Sequence, residues 1–283
     1  MSEAALQQIE AGLAGAHVAL LAGELDAMHA HLLHTLDALA AVTRAGFVPR
    51  QERAPVPWDE ATARQLVFEL LARLKTADCH VFPYAGTLLG LERDGKLLPN
   101  DKDADLAVWL EDFSLAGRVL QGLGLQRATD VPPFGNMMTF VEPRTGTSVD
   151  LFGLRRDPSR QRVEGGVWLY GKPASHQRVL VLPWMELAER QTPAGGAWWP
   201  ADADLLLRTL YGAWRTPQPE WDSLVSNRSL QEVNLNWHCF ALKNLAQVWL
   251  SGDLPRTGRL LDQILARVGG DERMRGWREA LSS

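Results

Sequence analysis

Residues 86–110 read GTLLGLERDGKLLPNDKDADLAVWL. Asp101, Asp103 and Asp105 recur at every second position and run straight into an apolar segment. Side chains alternate faces along a strand, so this spacing sets the three carboxylates on one face and Ala104, Leu106 and Val108 on the other. The second face is apolar enough to lie on a core, which anchors the acidic row to rigid structure. Neighbouring carboxylates repel, and one takes up a proton unless a cation lies among them. A divalent ion resolves that conflict, and an all-oxygen set favours Mg²⁺ or Mn²⁺. An EF-hand loop is excluded, because its sixth position would be Leu106 where glycine is required and its twelfth Asp112 where glutamate is required. For such a row taken alone, a solvated edge strand whose charges prevent aggregation is the competing reading.

The flanking sequence favours chemistry. Upstream, Gly86-Thr87 follows an apolar strand, HVFPY at 80–84, and begins a short helix. Glycine there lets a phosphate approach the backbone, and a helix N-terminus supplies N–H donors and a positive dipole. Downstream, TSVDLFGL at 147–154 alternates as a strand and carries one acid, Asp150, between Val149 and Leu151. A turn glycine, an acidic row on the next strand and a further acid on a later strand are the parts of a metal-dependent phosphoryl-transfer centre. The metal neutralises phosphate charge and lowers the pKa of an attacking hydroxyl, while the last carboxylate ligates it or accepts the proton.

The rest of the chain frames this centre. Residues 4–45 read as one or two helices, with Leu25, Met28, Leu32, Leu36 and Leu39 at three- and four-residue steps. Residues 46–58, GFVPRQERAPVPW, read as a linker, and Asp59 as the N-cap of a helix over 60–77. Strands are expected at 80–84, 103–110, 136–142, 147–154 and 163–170, with Asp112 capping a helix to about 123. Helices return at 203–212, 229–250, 256–268 and 271–281. The reading is an α+β core, residues 58–217, between an N-terminal helical segment, 1–50, and a C-terminal helical region, 218–283.

Composition narrows the function classes. The 283 residues are 46% hydrophobic and 22% charged, as in a soluble globular protein, and the net charge of −5 argues against a nucleic-acid binder. Cys79 and Cys239 form neither a metal spacing nor a disulfide framework. Residues 1–3 open no signal peptide, and no apolar run approaches the roughly 20 residues of a transmembrane helix, so a cytoplasmic location is expected. Oligomeric state is not legible; the N-terminal helices suit a dimer surface or an acceptor-docking surface equally.

These residues resemble the LicD and fukutin family of the polymerase-beta-like nucleotidyltransferase superfamily. The family hallmark is approximately GTLLG, two residues, Arg, and then P-x-D-x-D-x-D; this chain has GTLLG at 86–90, Arg93, Pro99, Asp101, Asp103 and Asp105. The family's later DIFP or DLWP strand is matched by Asp150-Leu151-Phe152, and its L-x-x-x-YG-x-W-x-x-P segment by LLRTLYGAWRTP at 206–217. Departures include Asp94 where histidine is frequent, Lys102 within the acidic row, Gly153 in place of proline and Ala213 in place of aspartate.

The resemblance implies a nucleotidyltransferase-type mixed sheet. It also implies transfer of a phosphate-linked small alcohol, such as phosphocholine or an alditol phosphate, from a CDP-activated donor to a glycan of the cell surface. By this matching Asp103 and Asp105 ligate the metal, Asp101 is a third ligand or lies just behind it, and Asp150 is a ligand or general base. Gly86 and Thr87 contact donor phosphates, and Arg93 holds the acids or a phosphate. Two rivals remain: transfer of NMP from an NTP to a small molecule, sugar phosphate or protein, and a catalytically silent binding module.

Other patterns weigh less. Arg155, Arg156, Arg160 and Arg162 read as a solvated hairpin turn before they read as an acceptor site. His29, His31 and His34 lack a fourth zinc ligand and read as helix surface. Trp198, Trp199, Trp214 and Trp221 offer rings for a sugar or base, although most tryptophans belong to packing. Trp237, His238 and Lys243 read as a partly buried helix before a cationic clamp over the donor.

Overall fold

The computed structural model of the chain describes residues 3–46, 59–99, 101–218 and 220–282. The expected linker lies, from residue 47 to residue 58, outside the described residues. The elements run α1 Glu3–Leu21, α2 Leu25–Arg44, α3 Glu60–Thr76, β1 Val81–Pro83, α4 Ala85–Arg93, β2 Asp103–Trp109, α5 Phe113–Gly122, β3 Gln126–Arg127, β4 Met137–Val141, β5 Ser148–Asp157, β6 Arg162–Trp168, β7 Gln177–Pro183, β8 Leu187–Thr192, β9 Gly195–Pro200, α6 Ala203–Tyr211, α7 Leu235–Leu250, α8 Leu254–Val268 and α9 Glu272–Ala280.

The central sheet is mixed, in the order β1-β2-β5-β4-β3. Strands β2 and β5 are parallel, and their neighbours are antiparallel. Strand β5 outruns the sheet, and its last residues, Arg155–Asp157, pair with β6, which in turn pairs with β7. A separate hairpin, β8-β9, covers α3 and β1. Helix α3 is capped as its sequence requires: the Asp59 carboxylate accepts the backbone N–H of Thr62. Its Val67, Leu70, Leu71 and Leu74 are buried in the core that the sheet also fills with Phe82, Leu106, Val108, Val149 and Leu151.

The helical ends form one body. Leu25, Met28, Leu32, Leu36 and Leu39 of α2 share a second core with Trp237, Leu242, Leu245 and Trp249 of α7, Leu261 of α8 and Trp277 of α9. Each of these helices exposes one polar face and needs a partner for its apolar stripe, and the two ends of the chain supply each other. Among the described residues, no helix is long and apolar enough to cross a membrane.

Several sequence expectations are corrected. The helix expected from residue 229 begins at Leu235, where the Asn234 side chain accepts from Trp237 N–H. The Asp112 carboxylate does not cap α5; it bonds His80 Nδ1 at 2.8 Å. Strands β7, β8 and β9 were not anticipated. In β7 the buried positions are Leu180 and Leu182 alone, while β8, LAERQT, is largely exposed, so neither carries a strong apolar alternation.

Candidate active site

The site is built where β1 turns into α4 beside β2. Ala85 takes a positive φ of 42°, a costly conformation for a residue with a Cβ, and this bends the chain sharply into the helix. The bend sets three groups on Asp105. Tyr84 N–H donates to the Asp105 carbonyl at 3.0 Å, Gly86 N–H to Asp105 Oδ2 at 3.1 Å, and Thr87 Oγ1 accepts the Asp105 N–H at 2.8 Å. Asp105 is thus fixed at its amide, its carbonyl and its carboxylate. A Cβ on Gly86 would lie 3.3 Å from carboxylate oxygens of both Asp101 and Asp105, so glycine is what admits the acids this close to the helix end.

Asp103 and Asp105 share one face of β2, as the alternation requires, and Asp101 precedes the strand. Lys102 is exposed and Ala104 is fully buried on the opposite side. Asp150 stands in register with Asp105 across the parallel β2–β5 pair, and its Oδ1 accepts from Thr139 Oγ1 at 2.6 Å. Burial and the neighbouring charge of Asp103 push Asp101 up to about 6. Burial raises Asp103, with Lys102 opposing. Asp105 is raised well above the carboxylate range by burial and then by the charges of Asp103, Asp150 and Asp101. Burial, opposed by the Thr139 hydroxyl and helped by Asp103, brings Asp150 to about 6.

A cavity of about 1080 Å³ opens over this row. Gly86, Arg93, Asp101, Asp103 and Asp105 line it, together with Tyr84, Arg178, Tyr211, Trp214 and Trp221. Thr87 is fully buried beneath it, its hydroxyl committed to the Asp105 amide, and does not face the cavity. The Arg93 guanidinium donates twice to Asp94 Oδ2, at 3.1 and 3.0 Å, and bonds none of the row. Asp150 stands beside Asp105 on the neighbouring strand and does not line the cavity.

The four carboxylates fit a hard cation in their chemistry. All donors are oxygen, Asp101 Oδ2 is buried without a hydrogen-bond partner, and burial, with mutual repulsion adding to it, holds Asp101 and Asp105 above their ordinary range. Among the described residues, no three His, Cys, Asp or Glu side chains converge to hold a metal unaided.

The secondary patterns resolve into packing. Arg155 pairs with Glu164, Arg156 with Glu111, and Arg160 and Arg162 with Asp157. His29 packs on His238 with ring centroids 4.9 Å apart. Trp237 is fully buried in the helical core, and neither it, His238 nor Lys243 lines the cavity. Of the tryptophans, Trp214 and Trp221 reach the cavity, while Trp198 packs on His80 and Trp199 bonds Glu92. Sequence reasoning missed Arg178, whose one signal was an arginine at the head of an apolar run, RVLVLP at 178–183.

The mixed sheet, the strand-to-helix glycine turn and the acid row define a transferase of phosphate- or nucleotide-linked groups. Residues 78–164 match the LicD/FKTN/FKRP nucleotidyltransferase domain. No curated protein matches the chain. Three solved structures are similar at 11% identity. They are the lincosamide antibiotic adenylyltransferase LnuA with lincomycin bound (TM-score 0.36, 52% of this chain and 83% of that one), ANT(2'')-Ia in complex with adenylyl-2''-tobramycin (0.34, 78% and 97%) and the solution structure of the antibiotic-resistance factor ANT(2'')-Ia (0.35, 79% and 92%).

Proposed function

We propose that the protein is a metal-dependent transferase that moves a phosphate-linked small alcohol from a CDP-activated donor to a hydroxyl of a glycan. The observation that carries this reading is the convergence of Gly86, Asp103 and Asp105 on one cavity, with Asp150 beside Asp105 on the next strand. Asp103 and Asp105, with Asp101 beside them, would hold Mg²⁺ or Mn²⁺. The bound ion would supply charge neutralisation to the donor phosphates and acidity to the attacking hydroxyl.

The protein's own groups would do the rest. The rigid Asp105 keeps the acid row in place, so the donor phosphates meet a preorganised wall. The α4 N-terminus faces them with its dipole. Asp150, in register with Asp105 on the neighbouring strand, would ligate the ion or serve as general base. The rings of Trp214 and Trp221 offer stacking faces for the donor base or an acceptor sugar. The match of residues 78–164 to the LicD/FKTN/FKRP nucleotidyltransferase domain supports the transferase class; the CDP donor and glycan acceptor are inferred from the resemblance of the motifs.

The test is thermal unfolding with CMP, CDP, CTP, ATP and GTP, each with and without Mg²⁺ or Mn²⁺, on wild type and Asp103→Asn/Asp105→Asn. Binding to the folded state alone stabilises by about 2.7 kcal/mol at a hundredfold excess over Kd. A metal-dependent, cytidine-selective shift lost in the variant is expected. Selectivity for ATP or GTP would replace this reading with NMP transfer, and no shift with any nucleotide would leave a silent binding module.

A further inference from the structure

Arg178 lies on β7, in the cavity wall, and is the unusual group of this site. Its Nε is buried without a hydrogen-bond partner, and among the described residues its guanidinium forms no ion pair. The acid whose charge reaches it, Asp222, is already committed: Asp222 Oδ1 accepts from the backbone N–H groups of Leu224 and Val225, and Oδ2 accepts from Asn244 Nδ2 at 2.6 Å. Beside it the Tyr84 hydroxyl is also buried without a partner, close enough for the arginine's charge to act on the phenol. A partly buried cation without a counterion is costly, and such a group persists where a ligand completes it.

The backbone is shaped to put it there. Gly166 has a φ of +98°, and a Cβ on it would lie 2.0 Å from the Arg178 carbonyl oxygen. Only glycine allows β6 and β7 to approach in this way, with Val167 opposite Arg178. The cavity therefore has two poles: carboxylates at Gly86, and an unpaired guanidinium with a phenol O–H on the wall formed by β1 and β7.

We infer that Arg178, assisted by the Tyr84 hydroxyl, binds the phosphate of the donor that departs with the nucleotide. This rests on the transferase reading above. As the acceptor oxygen attacks the transferred phosphorus, the P–O bond to the nucleotide's phosphate breaks, its electron pair stays on that phosphate, and the acceptor proton passes to a carboxylate of the acid row. The departing phosphate gains one negative charge, which a planar guanidinium can take up through two parallel N–H donors.

The test is calorimetric titration of pyrophosphate, CMP and glycerol phosphate in buffer free of divalent cations. It uses wild type, Arg178→Met, Arg178→Lys, Asp103→Asn/Asp105→Asn, and the last combined with Arg178→Met. Pyrophosphate and CMP should bind the Asp103→Asn/Asp105→Asn protein and weaken roughly 10- to 100-fold when Arg178→Met is added, with Arg178→Lys in between. Arg178→Met should melt no lower than wild type in anion-free buffer, because it removes an unpaired, partly buried charge; a lower melting point assigns Arg178 to structure alone and overturns the inference. Equal affinity with and without Arg178, or no anion binding to either aspartate-bearing or aspartate-free protein, also overturns it. Loss of glycerol phosphate binding alone would assign Arg178 to the acceptor and overturn the donor assignment. Pyrophosphate binding that needs Arg178, with no nucleotide bound by any variant, would instead remove the nucleotide-transfer reading and leave Arg178 an anion site.

Discussion

Asp105 and Asp150 face each other across adjacent parallel strands, register partners at the centre of the sheet. On the far side Asp150 is opposite Thr139 of β4, whose hydroxyl it accepts. Neither acid can relax outward, since strands flank both: β1 and β5 beside β2, and β2 and β4 beside β5. The cost of placing like charges here is therefore retained by the folded protein, and a bound cation or substrate proton can use it.

That stored cost predicts a pH dependence. Asp150 is held at about 6, above the ordinary aspartate value of 3.8 that the unfolded chain would show. The folded state thus binds the proton more tightly, and stability is fully present below about pH 4 and lost as pH rises through 6. Asp150→Asn, which can still accept from Thr139, should stabilise the metal-free protein by up to about 3 kcal/mol at pH 8 and by almost nothing at pH 4. Urea unfolding at the two pH values checks this; an equal effect at both would refute it. Transfer activity, once a substrate pair is found, should fall about 10²- to 10⁴-fold.

Thr87 gives a second prediction. Its hydroxyl is the partner of the Asp105 amide, and both lie in the core beneath the cavity. Thr87→Val keeps the shape and leaves that N–H unsatisfied, so it should destabilise by about 1–3 kcal/mol. Thr87→Ser should restore most of the stability. Chemical unfolding of the pair measures this, and a valine variant as stable as wild type would show that the amide finds another partner.

Much of this site was legible because it is local. The alternation of Asp101, Asp103 and Asp105 with Ala104 and Leu106 fixes one strand face, and GTLLG fixes a turn into a helix whatever the rest of the chain does. Asp150 could be placed on a strand from its own neighbours, though not in register with Asp105, since register is set by pairing across more than 40 intervening residues. Arg178 was invisible for the same reason: it enters the cavity through the pairing of β6 with β7 and the close approach at Gly166. Thr87 shows the limit of motif matching, since adjacency to Gly86 in sequence put it at the phosphates, whereas the helix turn buries it. The helical ends were read as separate segments, and their common core depends on contacts between α2 and α7 that no local pattern encodes.

Gly166 tests whether that non-local geometry matters. Gly166→Ala adds a Cβ to a residue at φ +98° and aims it at the Arg178 carbonyl, which is backbone and cannot swing aside. The strands must separate, so destabilisation of several kcal/mol is expected, at the upper end for a single substitution. Gly146→Ala serves as a control: it is also at positive φ, but its Cβ would meet nothing, and it should cost about 1 kcal/mol. Thermal unfolding of the two variants decides, and equal losses would mean that strain at φ and not the strand approach sets the cost.

The pair His29 and His238 gives a prediction of opposite sign to Asp150. Their Nε2 atoms are both buried without hydrogen-bond partners in the α2–α7 contact. Burial, and then the nearness of His29, lowers His238 to about 4, while Asp271 opposes. His29 is lowered by burial and by Arg273, against Asp26 and Asp271. The unfolded chain binds protons at these histidines near 6.5 and the folded protein does not, so stability is present above about pH 6.5 and lost as pH falls toward 4. His238→Leu removes the ring that must stay neutral. In urea titrations across pH 4–7, the variant should lose less stability on acidification than wild type, with the difference between the two curves opening below pH 6.5. Parallel curves would show that the helical contact tolerates the imidazolium, through rotation of His238 toward Asp271 or entry of water.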